Sequence, residues 1–116
     1  MFILQPIIEN SLLHGLKNKG YCGEVTVSAK KTNQNSIEIQ VADTGSGFKQ
    51  GVKNKIDEML INCDKHKANI DSIGILNVQK RIKLLCGKEF GLSYTENTNG
   101  GVTAHILLPI VREEFE

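Results

Sequence analysis

The sequence predicts a two-layer α/β sandwich, with antiparallel strand pairs carrying helices on one face. Apolar residues alternate with period two in two pairs of runs, 25–29 with 37–41 and 90–94 with 102–110. Each pair is joined by a polar, turn-forming stretch. Apolar residues at helical spacing fill 5–19 and the segment that follows Ser72. The order helix, hairpin, long loop, helix, hairpin fits paired strands. A doubly wound parallel sheet would need strands alternating singly with helices.

The first helix is expected from residue 5 to about 19, with Pro6 tolerable in its opening turn. Leu4, Ile8, Leu12 and Leu16, with Ile7 beside them, form its core stripe. At about 100° per residue, Asn10, His14 and Lys17 share a narrow sector on another face, with Glu9 to one side. Val25, Val27 and Ala29 then share one strand face, and Ile37, Ile39 and Val41 the next. Thr32 to Ser36 reads as the hairpin loop between them.

Residues 49–71 are polar apart from Met59, Leu60 and Ile61. A stretch this long inside a small domain is either a lid or a short helix on a solvated surface. Asp71 and Ser72 can cap the second helix, whose buried face is expected at Ile75, Val78, Ile82 and Leu85, with Gly87 at its end. Phe90, Leu92 and Tyr94 alternate as a strand, Asn97 to Gly101 reads as a turn, and Val102 to Ile110 makes the last strand.

The length suits one domain spanning 1–116. Fourteen basic against 13 acidic residues, without an arginine cluster, argue against nucleic acid as a partner. Cys22, Cys63 and Cys86 are odd in number and widely spaced, which fits incidental thiols better than disulfides or zinc. His66 and His105 read as structural.

The stretch Val41 to Phe48 is where chemistry concentrates. A strand delivers Asp43 to its end, and Gly45 and Gly47 then leave the backbone bare. A carboxylate fixed beside bare main chain can accept a hydrogen bond from an amino group such as that of adenine. Asp-x-Gly-x-Gly is equally an ordinary strand-to-loop exit.

The chain as a whole resembles a known family. Leu4–Gln5–Pro6–Ile7–Ile8–Glu9–Asn10–Ser11–Leu12–Leu13–His14–Gly15 is similar to the N box of sensor histidine kinases of the LytS/YesM type. Asp43–Thr44–Gly45–Ser46–Gly47–Phe48 resembles their G1 box, and Ser72–Ile73–Gly74–Ile75–Leu76–Asn77–Val78–Gln79–Lys80–Arg81–Ile82 their G2 region. Gly100–Gly101–Val102–Thr103 resembles the final glycine–threonine element. The resemblance implies a Bergerat-type ATP-binding fold with a mixed, mostly antiparallel sheet. It implies ATP and Mg²⁺ as ligands, Asn10 as the metal ligand, and Asp43 as acceptor for the adenine amino group. Gly45, Gly47, Ile73, Gly74, Asn77, Thr103, His14 and Lys17 would complete the ATP site, and Glu9 would orient a metal-bound water or the acceptor, or hold a neighbouring loop. Residues 49–71 would be the ATP lid.

Three positions depart from the family pattern. Ser72 stands where a first G2 glycine is usual, Leu13 where a phosphate-contacting lysine is common, and Pro6 where gyrase-like relatives hold a catalytic glutamate. Nor does the sequence contain an acceptor-histidine motif. The resemblance therefore implies the catalytic ATP-binding part of a protein-histidine kinase. It would serve an acceptor histidine on a separate dimerisation domain and, beyond it, a response regulator. The parent would be a homodimeric bacterial membrane receptor with this domain in the cytoplasm. The alternatives are a serine kinase of the anti-sigma-factor type and a non-catalytic nucleotide-binding regulatory module.

Overall fold

The computed structural model describes residues 4–12, 23–33, 35–47, 51–62, 73–98 and 100–110. Helix α1 is Leu4–Asn10; strands β1, Val25–Asn33, and β2, Ser36–Asp43, follow. Then come α2, Val52–Ile61, and α3, Ile73–Cys86, and strands β3, Gly91–Glu96, and β4, Val102–Pro109. The sheet order is β1-β2-β4-β3, and every described pairing is antiparallel. The helices pack on one face, giving the expected two-layer sandwich.

The core is aliphatic, as a chain without Trp requires. Val41, Ala104 and Tyr94 form one row across the sheet, and Ile39, Ile106 and Leu92 the next. Ile7 of α1, Met59 and Leu60 of α2, and Ile75, Leu76, Val78 and Ile82 of α3 close over them.

Several elements differ from the periodicity reading, each for a physical reason. On α1, Leu12 is 40% exposed. It lies about 140° round from the fully buried Ile7, so Ser11 takes the inward place instead. The chain also winds more widely over Ser11 and Leu12 than along the rest of the helix. The predicted continuation to residue 19 lies outside the described residues, with Leu13, His14, Leu16 and Lys17.

The first hairpin is tighter than expected. Asn33 pairs with Ser36, and the Asn33 Oδ1 accepts the Asn35 N–H at 2.8 Å, so Thr32 and Asn33 belong to the strand. Of the expected β1 face only Val25 packs against the core. Val27 is 46% exposed, because the helices cover β3 and β4 and leave β1 at the open edge. Lys30 and Lys31 sit on that edge, a common protection against strand-to-strand association.

On α3, Leu85 is 65% exposed, and Leu76 is buried where the sequence reading had no core residue. Cys86 points within about 20° of Ile75's direction and packs on the core, whereas Leu85 lies about 80° away at the helix end. The Gly87 N–H closes the helix on the Lys83 carbonyl at 3.2 Å, as its glycine suggested.

Within 49–71, α2 is more than a solvated surface helix. Met59 and Leu60 enter the core while Ile61 remains exposed. Lys53 and Asp57 form an ion pair on its outer side.

Candidate nucleotide-binding site

Asp43 ends β2 and is only 4% exposed. By strand alternation it faces the helix layer with Val41. Its Oδ1 accepts two backbone N–H bonds, from Gly45 at 2.9 Å and from Val102 at 3.2 Å. Two amides on one oxygen fix the plane of the carboxylate and so aim its second oxygen. Burial raises the pKa of the neighbouring Tyr94 phenol far above its ordinary value, and the negative charge of Asp43 adds to the shift.

The turn from β3 to β4 is built against this carboxylate. The Asn97 N–H donates to the Gly101 carbonyl at 2.7 Å, and the Gly100 N–H to the Asn97 carbonyl at 3.0 Å. Asn97 Nδ2 reaches the Asp43 carbonyl at 3.3 Å. Glycine is required by close approach: a Cβ on Gly101 would fall onto the Asp43 carbonyl oxygen, and one on Gly47 onto that of Gly100. Gly47 also holds φ 76°, the left-handed region. Two stretches far apart in sequence thus meet as backbone around one buried carboxylate. A second tie holds the strand exit, since the Glu24 N–H donates to Thr44 Oγ1 at 2.9 Å and the Thr44 N–H to the Glu24 carbonyl at 3.1 Å.

The helices bring the other candidates to the same layer. α1 packs on α3 so closely that a Cβ on Gly74 would meet the Pro6 Cβ at 3.6 Å. Gly74 and Asn77 are exposed on the first turns of α3. Ile73 opens that helix. Asn10 is half-buried at the end of α1, where the winding widens. The Glu9 carboxylate is exposed and accepts from Gln5 Nε2 at 3.0 Å. His14, Lys17, Ser72, Leu13 and His66 lie outside the described residues.

Thr103 is placed differently from its expected direction. It alternates with Val102 and Ala104, so it lies on the outer sheet face, where its hydroxyl donates to Asn97 Oδ1 at 2.7 Å. Its tie to the Asp43 region runs through Asn97, while the direct bond to Asp43 comes from the Val102 N–H. The sequence reading missed Val102, Asn97 and Tyr94; the paired glycines Gly100 and Gly101 were the available signal.

His105 lies in a polar network on the same outer face. Its Nδ1 is 3.1 Å from Glu38 Oε1 and its Nε2 2.8 Å from Thr95 Oγ1. The bond from Gln40 at 2.9 Å, aided by His105 and Lys30, holds the Glu38 carboxyl below its ordinary pKa. An open cleft of about 530 Å³ lined by Asn33, Asn35, Ser36, Glu89, Phe90 and Leu107 lies at the far end of the sheet, away from Asp43. It contains none of the residues with candidate chemistry. Among the described residues, no cluster of three or more His, Cys, Asp or Glu side chains could hold a metal.

A four-stranded antiparallel sheet under a helix layer, with a buried strand-end aspartate ringed by glycine backbone, defines a nucleotide-binding α/β sandwich. The family model described as histidine kinase-, DNA gyrase B- and HSP90-like ATPase matches residues 2–112, and the chain belongs to that family. It is 32% identical over 106 residues to the uncharacterized protein YwpD of Bacillus subtilis, covering 91% of this chain and 35% of that one. It is 30% identical over 106 residues to the sensor protein LytS of Oceanobacillus iheyensis, covering 91% of this chain and 17% of LytS. The Staphylococcus aureus sensor histidine kinase/phosphatase LytS is 27% identical over 115 residues, 99% of this chain and 19% of that protein. The chain thus spans about a third or less of the length of these relatives. In fold it is similar to a mycobacterial sensor histidine kinase, MprB, with a TM-score of 0.51 and 19% identity over 75% of this chain and 56% of that one.

Proposed function

We propose that this chain is the ATP-binding catalytic domain of a sensor histidine kinase. The observation that carries the reading is the Asp43 carboxylate, buried and pinned by the Gly45 and Val102 amides beside backbone that tolerates no Cβ. Such an oxygen suits the adenine amino group, and the close backbone approaches at Gly47 and Gly101 hold the loop and the β3–β4 turn around it. Gly45, Gly47, Ile73, Gly74, Asn77, His14 and Lys17 are proposed as the rest of the ATP site, with Thr103 connected to it only through Asn97. Phosphoryl transfer asks mainly for positioning and charge neutralisation, which suits a site with few acid–base groups.

The chemistry of the donor set also fits Mg²⁺. A single amide oxygen, that of Asn10, can take one coordination place while waters and phosphate oxygens fill the others. Asn10→Ala should therefore lose the Mg²⁺ enhancement of ATP binding more than it loses binding to adenosine. Titrations with and without Mg²⁺ decide this, and an unchanged enhancement would leave Asn10 a helix-surface residue.

Residues 49–71 are proposed as the ATP lid. Hydrogen exchange across this stretch should slow when Mg–ATP is added, least at Met59 and Leu60, which the core already protects. Equal exchange in both states would contradict the lid.

The phosphate would pass to a histidine on a helical dimerisation domain of the parent protein, and from there to a response regulator. Glu9 is the candidate to orient the acceptor. The parent is proposed to be a homodimeric bacterial membrane receptor with this domain on the cytoplasmic side; among the described residues no helix is long and apolar enough to cross a membrane. The test is phosphotransfer: the chain, Mg–ATP labelled at the γ-position and the parent's own helical segment should yield acid-labile, base-stable phosphate on that segment. Label on a serine would favour the anti-sigma-factor type of kinase, and ATP binding without transfer the regulatory module.

A further inference from the structure

Gln79 is a polar side chain buried at 3% exposure in an apolar core, and no step of nucleotide binding uses it. Both ends of its carboxamide are occupied. Its Nε2 donates to the Leu60 carbonyl at 3.0 Å, and its Oε1 accepts the Leu92 N–H at 2.7 Å. Leu60 lies in the last turn of α2, where carbonyls have no partner within the helix. Leu92 lies on β3, the edge strand at the other end of the sheet from β1, where alternate N–H groups face away from the neighbouring strand. One side chain therefore satisfies a helix end and a strand edge at once.

The space for it comes from a glycine. A Cβ on Gly91 would stand 2.5 Å from Gln79 Oε1 and 3.2 Å from its Nε2. Gln79 and Gly91 thus form a matched pair, each explaining the other.

The three elements joined here adjoin the proposed site. α2 starts at Val52, five residues after Gly47; α3 opens with Ile73 and Gly74; β3 carries Tyr94, whose phenol senses the Asp43 charge. We infer that Gln79, in the space left by Gly91, is a positioning residue that keys α2 to the sheet and so keeps the glycine loop and the first turn of α3 in register with Asp43. This rests on the nucleotide reading above. Slack in the clamp lets α2 part from β3 without unfolding either, so it acts on ligand affinity through geometry.

The decisive variant is Gln79→Glu. One carboxyl oxygen can still accept the Leu92 N–H, while the other faces the Leu60 carbonyl. Protonated, that oxygen donates and the clamp holds; ionised, it cannot, and the two oxygens repel. Burial raises the pKa of such a carboxyl, so the change falls between roughly pH 5 and 8.

In the nucleotide-free chain, exchange at residues 55–62 of Q79E, relative to wild type at the same pH, should be near one at about pH 5 and at least about tenfold faster at about pH 8. Mg–ATP affinity relative to wild type should fall about tenfold over the same interval. Wild-type exchange at both pH values overturns the clamp. Released α2 with unchanged affinity overturns the positioning role and leaves Gln79 purely structural.

A second pair of variants guards against misfolding of the first. Gly91→Ala should lower the melting temperature more in the wild-type background than beside Gln79→Ala, and equal losses overturn the matched pair. A wild-type chain that binds no Mg–ATP overturns the underlying nucleotide reading instead. The exchange data, recorded without nucleotide, keep that failure distinct from a failure of the clamp.

Discussion

Asp43→Asn should weaken ATP binding by roughly 10- to 150-fold or more while leaving the melting curve close to wild type. The geometry separates the two effects. Oδ1 is the oxygen that holds the fold, accepting from Gly45 and Val102, and an asparagine keeps one such oxygen. The replaced atom is the second oxygen, which becomes an NH₂ donor facing the donor of adenine. Loss of a charged hydrogen bond together with an unmatched buried group costs ~1.5–3 kcal/mol or more, and each ~1.4 kcal/mol is tenfold in affinity. Calorimetry on the purified variant reads the affinity, and thermal unfolding reads the fold. Full ATP affinity in a normally folded variant would remove Asp43 from the base site.

Gly101→Ala should act on both quantities. The added Cβ falls on the Asp43 carbonyl oxygen, backbone against backbone, so no side chain can swing aside. Relief requires β2 and the start of β4 to part at the point where Val102 holds the carboxylate. Overpacking of this kind costs about 3 kcal/mol or more when the obstacle is rigid. For a domain of this size that lowers the melting temperature by roughly 10–15 °C, and ATP binding should fall with it. Gly51→Ala is the control. Its φ is positive, at 84°, a strain that Gly101 does not carry, but a Cβ there meets nothing within 4 Å, so only the backbone strain of about 1 kcal/mol is expected. Equal losses in the two variants would mean that the approach of Gly101 to Asp43 costs no more than the backbone strain of one positive φ.

The parts of this fold that follow from local chemistry were legible in the sequence. Period-two runs gave the four strands and the two antiparallel hairpins, β1 with β2 and β3 with β4, though not the pairing of β2 with β4, and Gly87 marked the end of α3. Asp43 stood out because an acid, a strand end and two nearby glycines coincide, and the structure places it buried at that strand end. What depended on the neighbouring layer was not legible. An alternating pattern says which residues share a face, but not whether anything covers that face, so Val27 looked like core and is exposed at an edge. Met59 and Leu60 looked like an island in a polar tract because the space between α3 and β3 that receives them is made by distant residues. The core face of α3 was read as ending at Leu85, yet Cys86 turns inward there.

The candidate site shows the same division. Thr103 was placed by its neighbourhood to the paired glycines, but strand alternation sends its hydroxyl outward to Asn97 and leaves the Val102 amide to touch Asp43. A main-chain donor has no residue type to advertise it. Gln79 carried no signal either, since a glutamine within a helix is ordinarily a solvated residue, and its partners Leu60 and Leu92 contribute only backbone. His14 and Lys17, which the helical spacing groups with Asn10, belong to the residues outside the described ones.

The central claim is that the pinned Asp43 carboxylate reads the amino group of adenine. Parallel calorimetric titrations of the wild-type chain with Mg–ATP and Mg–GTP test it most directly. Guanine presents a carbonyl oxygen where adenine presents its amino group, so acceptor would face acceptor across a buried site. The account predicts measurable binding of ATP and GTP binding weaker by at least about a hundredfold. Equal affinity for the two nucleotides, or binding of neither, would contradict it.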